Sequence, residues 1–152
     1  MKRIIFITIV VVSSSMLAAA QPAKDSYQPG LGEFMTATQL RHAKLWFAGK
    51  SNNWALAAYE IDEIKEGLDD AAKFHATVDG APIAEMIKTI IEPRIERLEK
   101  AVGTKNNAQF VAAFDALTDG CNACHAGAGK PFIRIQRPSM PPLSNQNFAP
   151  AK

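Results

Sequence analysis

Four apolar stripes that advance by alternating steps of three and four residues limit this chain to one kind of architecture. Leu31, Met35, Thr38, His42 and Leu45 form the first, which closes at Gly49. Asn52 or Asn53 caps the second, carried by Trp54, Ala57, Ile61, Ile64, Leu68, Ala71 and His75 and fading near Val78-Asp79-Gly80. Pro82 suits the first turn of the third, with Ile83, Ile87, Ile90 or Ile91, Ile95, Leu98 and Val102 before Gly103. Asn106 or Asn107 caps the fourth, which sets Phe110, Phe114, Leu117, Cys121 and Cys124 on one face. No stretch alternates with a period of two. Short loops between four amphipathic helices predict an all-α, antiparallel four-helix bundle over residues 31–126, with a kink where Pro93 interrupts the third stripe.

The flanks read differently. Met1-Lys2-Arg3, an apolar run from Ile4 to Val12 and the small residues Ala18-Ala19-Ala20 have the layout of a secretory signal peptide cut after residue 20. The apolar run is well short of the roughly 20 residues needed to span a bilayer, so no membrane span is expected after processing. Residues 21–30 form an irregular leader with Pro22, Pro29 and Gly30. Residues 127–152 combine Gly127, Gly129, Pro131, Pro138, Pro141, Pro142 and Pro150 with Phe132, Ile133, Ile135, Met140, Leu143 and Phe148. That mixture predicts an extended, Pro-rich C-terminal strap laid on the bundle.

Removing Lys2 and Arg3 with the leader brings the 17 basic residues down to the 15 acidic ones, a balance that gives no reason to expect nucleic acid. The charges are segregated, however. Six acids lie between Glu60 and Asp70, whereas Lys130, Arg134, Arg137 and Lys152 follow His125 without any acid. This predicts either a docking surface or a basic tail lying on an acidic helix.

The chemistry concentrates at Cys121-Asn122-Ala123-Cys124-His125. In a Cys-x-x-Cys-His segment the two thiols add across the vinyl groups of a haem and the adjoining imidazole reaches the iron. That attachment is made outside the cytosol, in agreement with the signal peptide, and predicts one covalent haem c per chain in the periplasm. Three other readings compete. A thioredoxin-like pair belongs beside a βαβ unit, at a helix N-terminus. A zinc site needs a fourth ligand, and His42 and His75 are far away in sequence. A disulfide between Cys121 and Cys124 would have to bridge one helical turn, a poor geometry.

The position of this motif on a fourth helix resembles the class II c-type cytochromes, the family of cytochrome c-prime and its low-spin relatives. The resemblance implies a haem held among the helices, Cys121 and Cys124 as thioether residues, His125 as proximal ligand, and a first-helix residue over the other iron face. A methionine there gives a six-coordinate electron carrier; a non-coordinating side chain gives a five-coordinate haem that binds nitric oxide or carbon monoxide. Homodimers through bundle faces also follow from the resemblance. The chain departs from the pattern in its long tail and in Ala126-Gly127-Ala128-Gly129, which delays the first basic residue to Lys130.

Geometry ranks the distal candidates. From Asn107 to His125 the fourth helix rises about 27 Å; from Met35 to Gly49 the first rises about 21 Å, and from His42 only about 10 Å. With the helices level at the Gly49 end, Met35 comes near the height of His125 and His42 falls about 16 Å short. Met35 is the expected sixth ligand, Met140 the second candidate, and a core methionine beside an open haem face the alternative. Phe110, Phe114 and Leu117 are expected to wall the macrocycle. Arg41 and Arg134, with Lys44 and Arg137 behind them, are expected to meet the propionates. His42 reads as a hydrogen-bonded core or boundary residue, His75 as a surface one, and Trp46 and Trp54 as packing at the first turn.

The sequence therefore predicts a mono-haem protein, not an enzyme, that carries single electrons between periplasmic redox partners. The five-coordinate gas-binding module is the alternative. A haem peroxidase ranks lower, because it would need His42 and Arg41 at the distal face.

Overall fold

Local signals at the helix starts decide where each element begins. The computed structural model describes residues 27–151; the expected signal peptide (1–20) and most of the irregular leader (21–30) lie outside the described residues. Helix α1 spans Leu31–Lys50 and α2 spans Trp54–Phe74. Asn53, not Asn52, caps α2, its side chain accepting from the Leu56 N–H at 3.2 Å. Asn52 instead takes a left-handed φ of 56° in the turn, a conformation that asparagine tolerates better than most residues. Asn106 caps the last helix in the same way, accepting from the Gln109 N–H at 3.0 Å. Helix α2 ends at Phe74, short of the Val78 region where its apolar stripe fades, and a tight turn through Asp79 and Gly80 pairs Val78 with Ala81 in an isolated bridge. No strand forms among the described residues.

The third stripe becomes a continuous rod of three pieces: α3 (Ile83–Met86), a π turn (Ile87–Ile91) and α4 (Glu92–Gly103). Pro93 lacks the N–H that an unbroken α-helix would use, and the rod meets that loss with one widened turn just upstream. The wider turn sends both Ile87 and Ile91 inward, where they are 7% and 3% exposed. The Arg94 guanidinium donates to the Ile90 carbonyl beside the break. Helix α5 runs Asn107–Gly127.

Packing is uneven around this four-helix bundle. α1 packs closely on α2, and α5 on α4 and the π turn, whereas α1 and α5 touch only lightly. Their contacts fall at one end. Gly49 receives the Phe110 ring, Trp46 lies 4.9 Å from Phe114 between ring centroids, and the His42 Nε2 is 2.9 Å from the Thr118 hydroxyl. These pairs show the two helices antiparallel. Beyond His42 and Thr118 they are no longer pinned together.

Phe110 and Phe114 are fully buried. A Cβ on Gly49 would lie 2.1 Å from Phe110 Cζ, and Trp46 and Trp54 flank the ring at 6.3 and 6.0 Å between centroids, so it has nowhere to swing. Gly49→Ala is expected to destabilise the fold by about 1–3 kcal/mol through overpacking. A thermal melt should show that as a loss on the order of 5–10 °C, and a wild-type midpoint would refute the packing argument.

After α5, Gly129 adopts φ 73° while the Lys130 N–H bonds the His125 carbonyl at 2.8 Å and the Gly129 N–H bonds that of Ala126 at 3.1 Å. Glycine is the residue that takes this left-handed helix stop at least cost, and the stop turns the chain back on itself. Asn122 then holds Ile135, Arg137 pairs with Asp115 and lies over the Trp46 ring, and Phe148 is buried against Phe47 with its carbonyl bonded to Asn53. Two of the tail's cations pair away from the acidic helix, Lys130 with Asp79 and Arg137 with Asp115, while Glu60 and Glu63 of α2 are engaged by Arg41 and Lys44 of α1. No described helix is long and apolar enough to cross a membrane.

Candidate functional site

Where α1 and α5 part, an apolar cavity of about 360 Å³ opens, within the size range of small-molecule and cofactor sites. Met35, Gln39 and His42 face it from α1, Leu117, Cys121, Cys124 and His125 from α5, and Ile83, Met86, Ile87 and Ile91 from the rod between them. Ala128, Lys130, Ile133 and Ile135 of the C-terminal segment close another side, and among the described residues Lys130 is the one Lys, Arg, Asp or Glu on the wall.

The level of each residue follows from the bundle register. Seven residues back along α1 from His42 reach Met35, and seven residues on along α5 from its partner Thr118 reach His125. Equal rises keep Met35 and His125 at one height. His42 is then about 10 Å away along the axis, nearer than the 16 Å obtained by levelling the helix ends, and it reaches the inner end of the same cavity.

Cys121 and Cys124, one turn apart on α5, stand as free thiols. Burial pushes the Cys121 thiol up to about 12 and raises that of Cys124, so both are held in the neutral form. A dithiol built for disulfide exchange needs the opposite shift. Among the described residues no three His, Cys, Asp or Glu side chains gather as a metal-binding group.

His125 is oriented by the returning segment. Its Nδ1 lies 3.2 Å from the Ile133 carbonyl, which accepts only from a protonated nitrogen, and so Nε2 is the nitrogen left with a free lone pair. Two thiols, an imidazole oriented by a backbone carbonyl and a thioether thus line one apolar cavity. This donor set fits a haem of the c type.

His42 is 4% exposed, lies 4.3 Å from Phe114 between ring centroids, and has its pKa lowered to about 4 by burial. The folded state therefore keeps it neutral, while the unfolded chain takes up a proton as pH falls below 6.5. Stability from this residue is complete above pH 6.5 and is lost as pH falls toward 4, by about 3 kcal/mol at most. Denaturant melts at pH 7 and pH 4.5 should show a smaller difference for His42→Gln than for wild type. An equal difference would mean that another group carries the acid sensitivity.

Several expected site residues lie elsewhere. Phe110 and Phe114 are core residues seven or more positions from Cys121 and do not reach the cavity, whereas Leu117 does. Arg41 is drawn to α2, with Nη2 2.6 Å from Glu63 and Nη1 3.4 Å from the fully buried Glu60, whose other oxygen meets Lys44 at 2.7 Å. Turning either Arg41 or Lys44 to the cavity would take one of its two cationic partners from that buried carboxylate. Arg134 is exposed and off the wall, and Arg137 is held by Asp115. Met140 is 72% exposed and away from the cavity. His75 is half-buried rather than a free surface residue, with Nε2 2.9 Å from the Pro29 carbonyl.

Two residues of the cavity wall, Met86 and Lys130, and one just off it, Asn122, carry no sequence signal of a place at the site. Met86 falls one position off the apolar stripe and lies on the wall beside the last turn of α5, where a Cβ on Gly127 would come within 2.7 Å of its methyl. Lys130 was read as part of a basic tail. The Asn122 amide occupies a variable position of the motif, which carries no sequence signal of a role. No family model matches the chain, and neither a curated protein nor a solved structure does.

Proposed function

We propose that the chain is an exported, periplasmic c-type cytochrome that holds one covalent haem c and carries single electrons between redox partners. One observation carries the reading: the cavity at the open end of the bundle is lined together by Cys121, Cys124, His125 and Met35. Haem held there supplies a ferric/ferrous one-electron couple.

The chain's own residues then have distinct tasks. Cys121 and Cys124 tether the group through thioethers, and the tether keeps His125 close at high effective concentration. The His125 ring, with Nδ1–H given to Ile133, offers Nε2 as the proximal donor. Met35, level with it across the bundle, offers a soft thioether as the distal donor, a pairing that raises the potential. Leu117, Ile87 and Ile91 make the walls apolar, and Lys130, on the wall and shared at 3.4 Å with the exposed Asp79, is the cation placed to meet a carboxylate at its edge. The reading includes no catalytic group. Arg41 is spent on Glu60 and Glu63, and neutral His42 is bonded to Thr118, so the polar pair that a peroxidase needs is not assembled at the cavity. The signal-like leader supports export, and a homodimer through bundle faces belongs to the same proposal.

Visible spectra of the haem-matured protein, oxidised and then reduced, test the proposal. Low-spin bands in both states, with no change on adding carbon monoxide, are the expected result. A high-spin spectrum with ready carbon monoxide uptake would replace the electron carrier by the gas-binding module.

A further inference from the structure

The first variable residue of the Cys-x-x-Cys-His segment makes two hydrogen bonds that reach beyond its own helix. The Asn122 Nδ2 donates to the Ile135 carbonyl at 2.9 Å, and the Ile135 N–H donates to Asn122 Oδ1 at 2.7 Å. A side-chain amide paired with both the N–H and the C=O of one residue fixes that residue's backbone in position and in rotation. Two residues upstream on the same returning segment, the Ile133 carbonyl meets His125 Nδ1 at 3.2 Å.

The two contacts share one register. Asn122 and His125 are three residues apart on a helix, hence on one face and about 4.5 Å apart along the axis. Ile133 and Ile135 are two residues apart, no more than about 7 Å along the chain, and their carbonyls both turn to this face of the helix. Setting Ile135 on Asn122 therefore sets Ile133 on His125. The Gly129 stop and the Lys130 N–H to His125 carbonyl bond bring the segment back from the other side, which leaves little slack between the two anchors.

We propose that Asn122 is a positioning residue for the iron ligand: through the paired hydrogen bonds to Ile135 it holds the Ile133 carbonyl against His125 Nδ1. This deepens the haem reading and rests on it. The carbonyl keeps the ring in the tautomer with Nε2 free, fixes its rotation, and makes it a stronger electron donor. Without the clamp, Ile133 drifts off the ring and water takes the Nδ1–H. The donor is weakened and the reduced state becomes easier to reach.

The test uses the haem-loaded, full-length protein in its ferrous state, with two readouts: solvent exchange of the His125 Nδ1–H by NMR, and the reduction potential. Asn122→Ala removes both clamp bonds. Ile135→Pro removes the N–H donor from the segment's side and leaves the attachment motif untouched, so the question stays open to test should Asn122→Ala mature poorly. Both variants are expected to exchange the ring N–H about tenfold faster than wild type and to raise the potential. Arg137→Ala, which loosens the tail at Asp115 instead, is expected to leave both readouts at wild-type values. Unchanged exchange and potential in the two clamp variants, or an equal shift in Arg137→Ala, would overturn the assignment of Asn122 while leaving the haem reading standing. A wild type that carries no haem would overturn that reading and this inference with it.

Discussion

Replacing Cys121 and Cys124 together by alanine is expected to leave a folded, helical protein that retains no haem after extraction with acidified organic solvent. The thiols are half-buried and unbridged, so truncating them removes little packing. The most deeply buried part of the core, around Phe110, Phe114, Leu45 and Leu98, lies at the other end, and the two thiols only pack against the core's edge. Helix content by circular dichroism should therefore stay at the level of the wild-type apoprotein. The cavity would survive, and haem could still lodge in it by apolar contact and His125 ligation. What disappears is the covalent link, and with it any haem that follows the polypeptide through denaturing electrophoresis. Each single variant keeps one thioether and should retain haem through that bond alone. Retention of covalent haem by the double variant would break the assignment of the motif outright.

Met35→Ala should convert the low-spin protein to a high-spin one, with loss of the weak far-red band of sulfur-to-ferric-iron ligation and a gain of carbon monoxide binding. Met35 stands level with His125 because α1 and α5 are antiparallel and pinned at His42 and Thr118, seven residues from each. It is half-buried on the cavity wall, so its truncation should cost stability less than the 2–5 kcal/mol typical of a buried methionine. Loss of the axial bond can thus be read without loss of the fold. His42 cannot substitute, since it is about 10 Å away along the bundle and its ring is engaged by Thr118. Met86 is the informative control. It lines the same cavity from the rod, beside the last turn of α5, and Met86→Leu should leave the spectrum low-spin. A variant at Met35 that stayed low-spin, with the band moving at Met86 instead, would transfer the sixth ligand to the rod.

Periodicity reached most of the architecture, because apolar spacing and cap residues are local. Asn53 and Asn106 act at the positions where the stripes begin, and the Pro93 break appears as a π turn one step upstream. Helical rise is nearly constant, so the level of Met35 relative to His125 is legible without coordinates; that of His42 is off by several ångströms because the helices register through side-chain pairs and not at their ends. Less legible was anything that depends on which neighbour a charged or polar side chain chooses. Arg41 could face a propionate or a carboxylate, and only the burial of Glu60 decides that it faces α2. Phe110 and Phe114 share the stripe of Leu117, but the cavity opens after them because Trp46 and Trp54 have already filled the other end. The link from Asn122 through Ile135 and Ile133 to His125 joins a helix to a segment about a dozen residues on, and no periodic signal announces it.

The intact mass of the exported wild-type protein, measured under denaturing conditions after expression in a host that matures c-type cytochromes, tests the central claim most directly. The account predicts the chain without its leader plus the mass of one haem, with no free thiol left to alkylate. A chain of polypeptide mass alone, with Cys121 and Cys124 both open to alkylation, would contradict it.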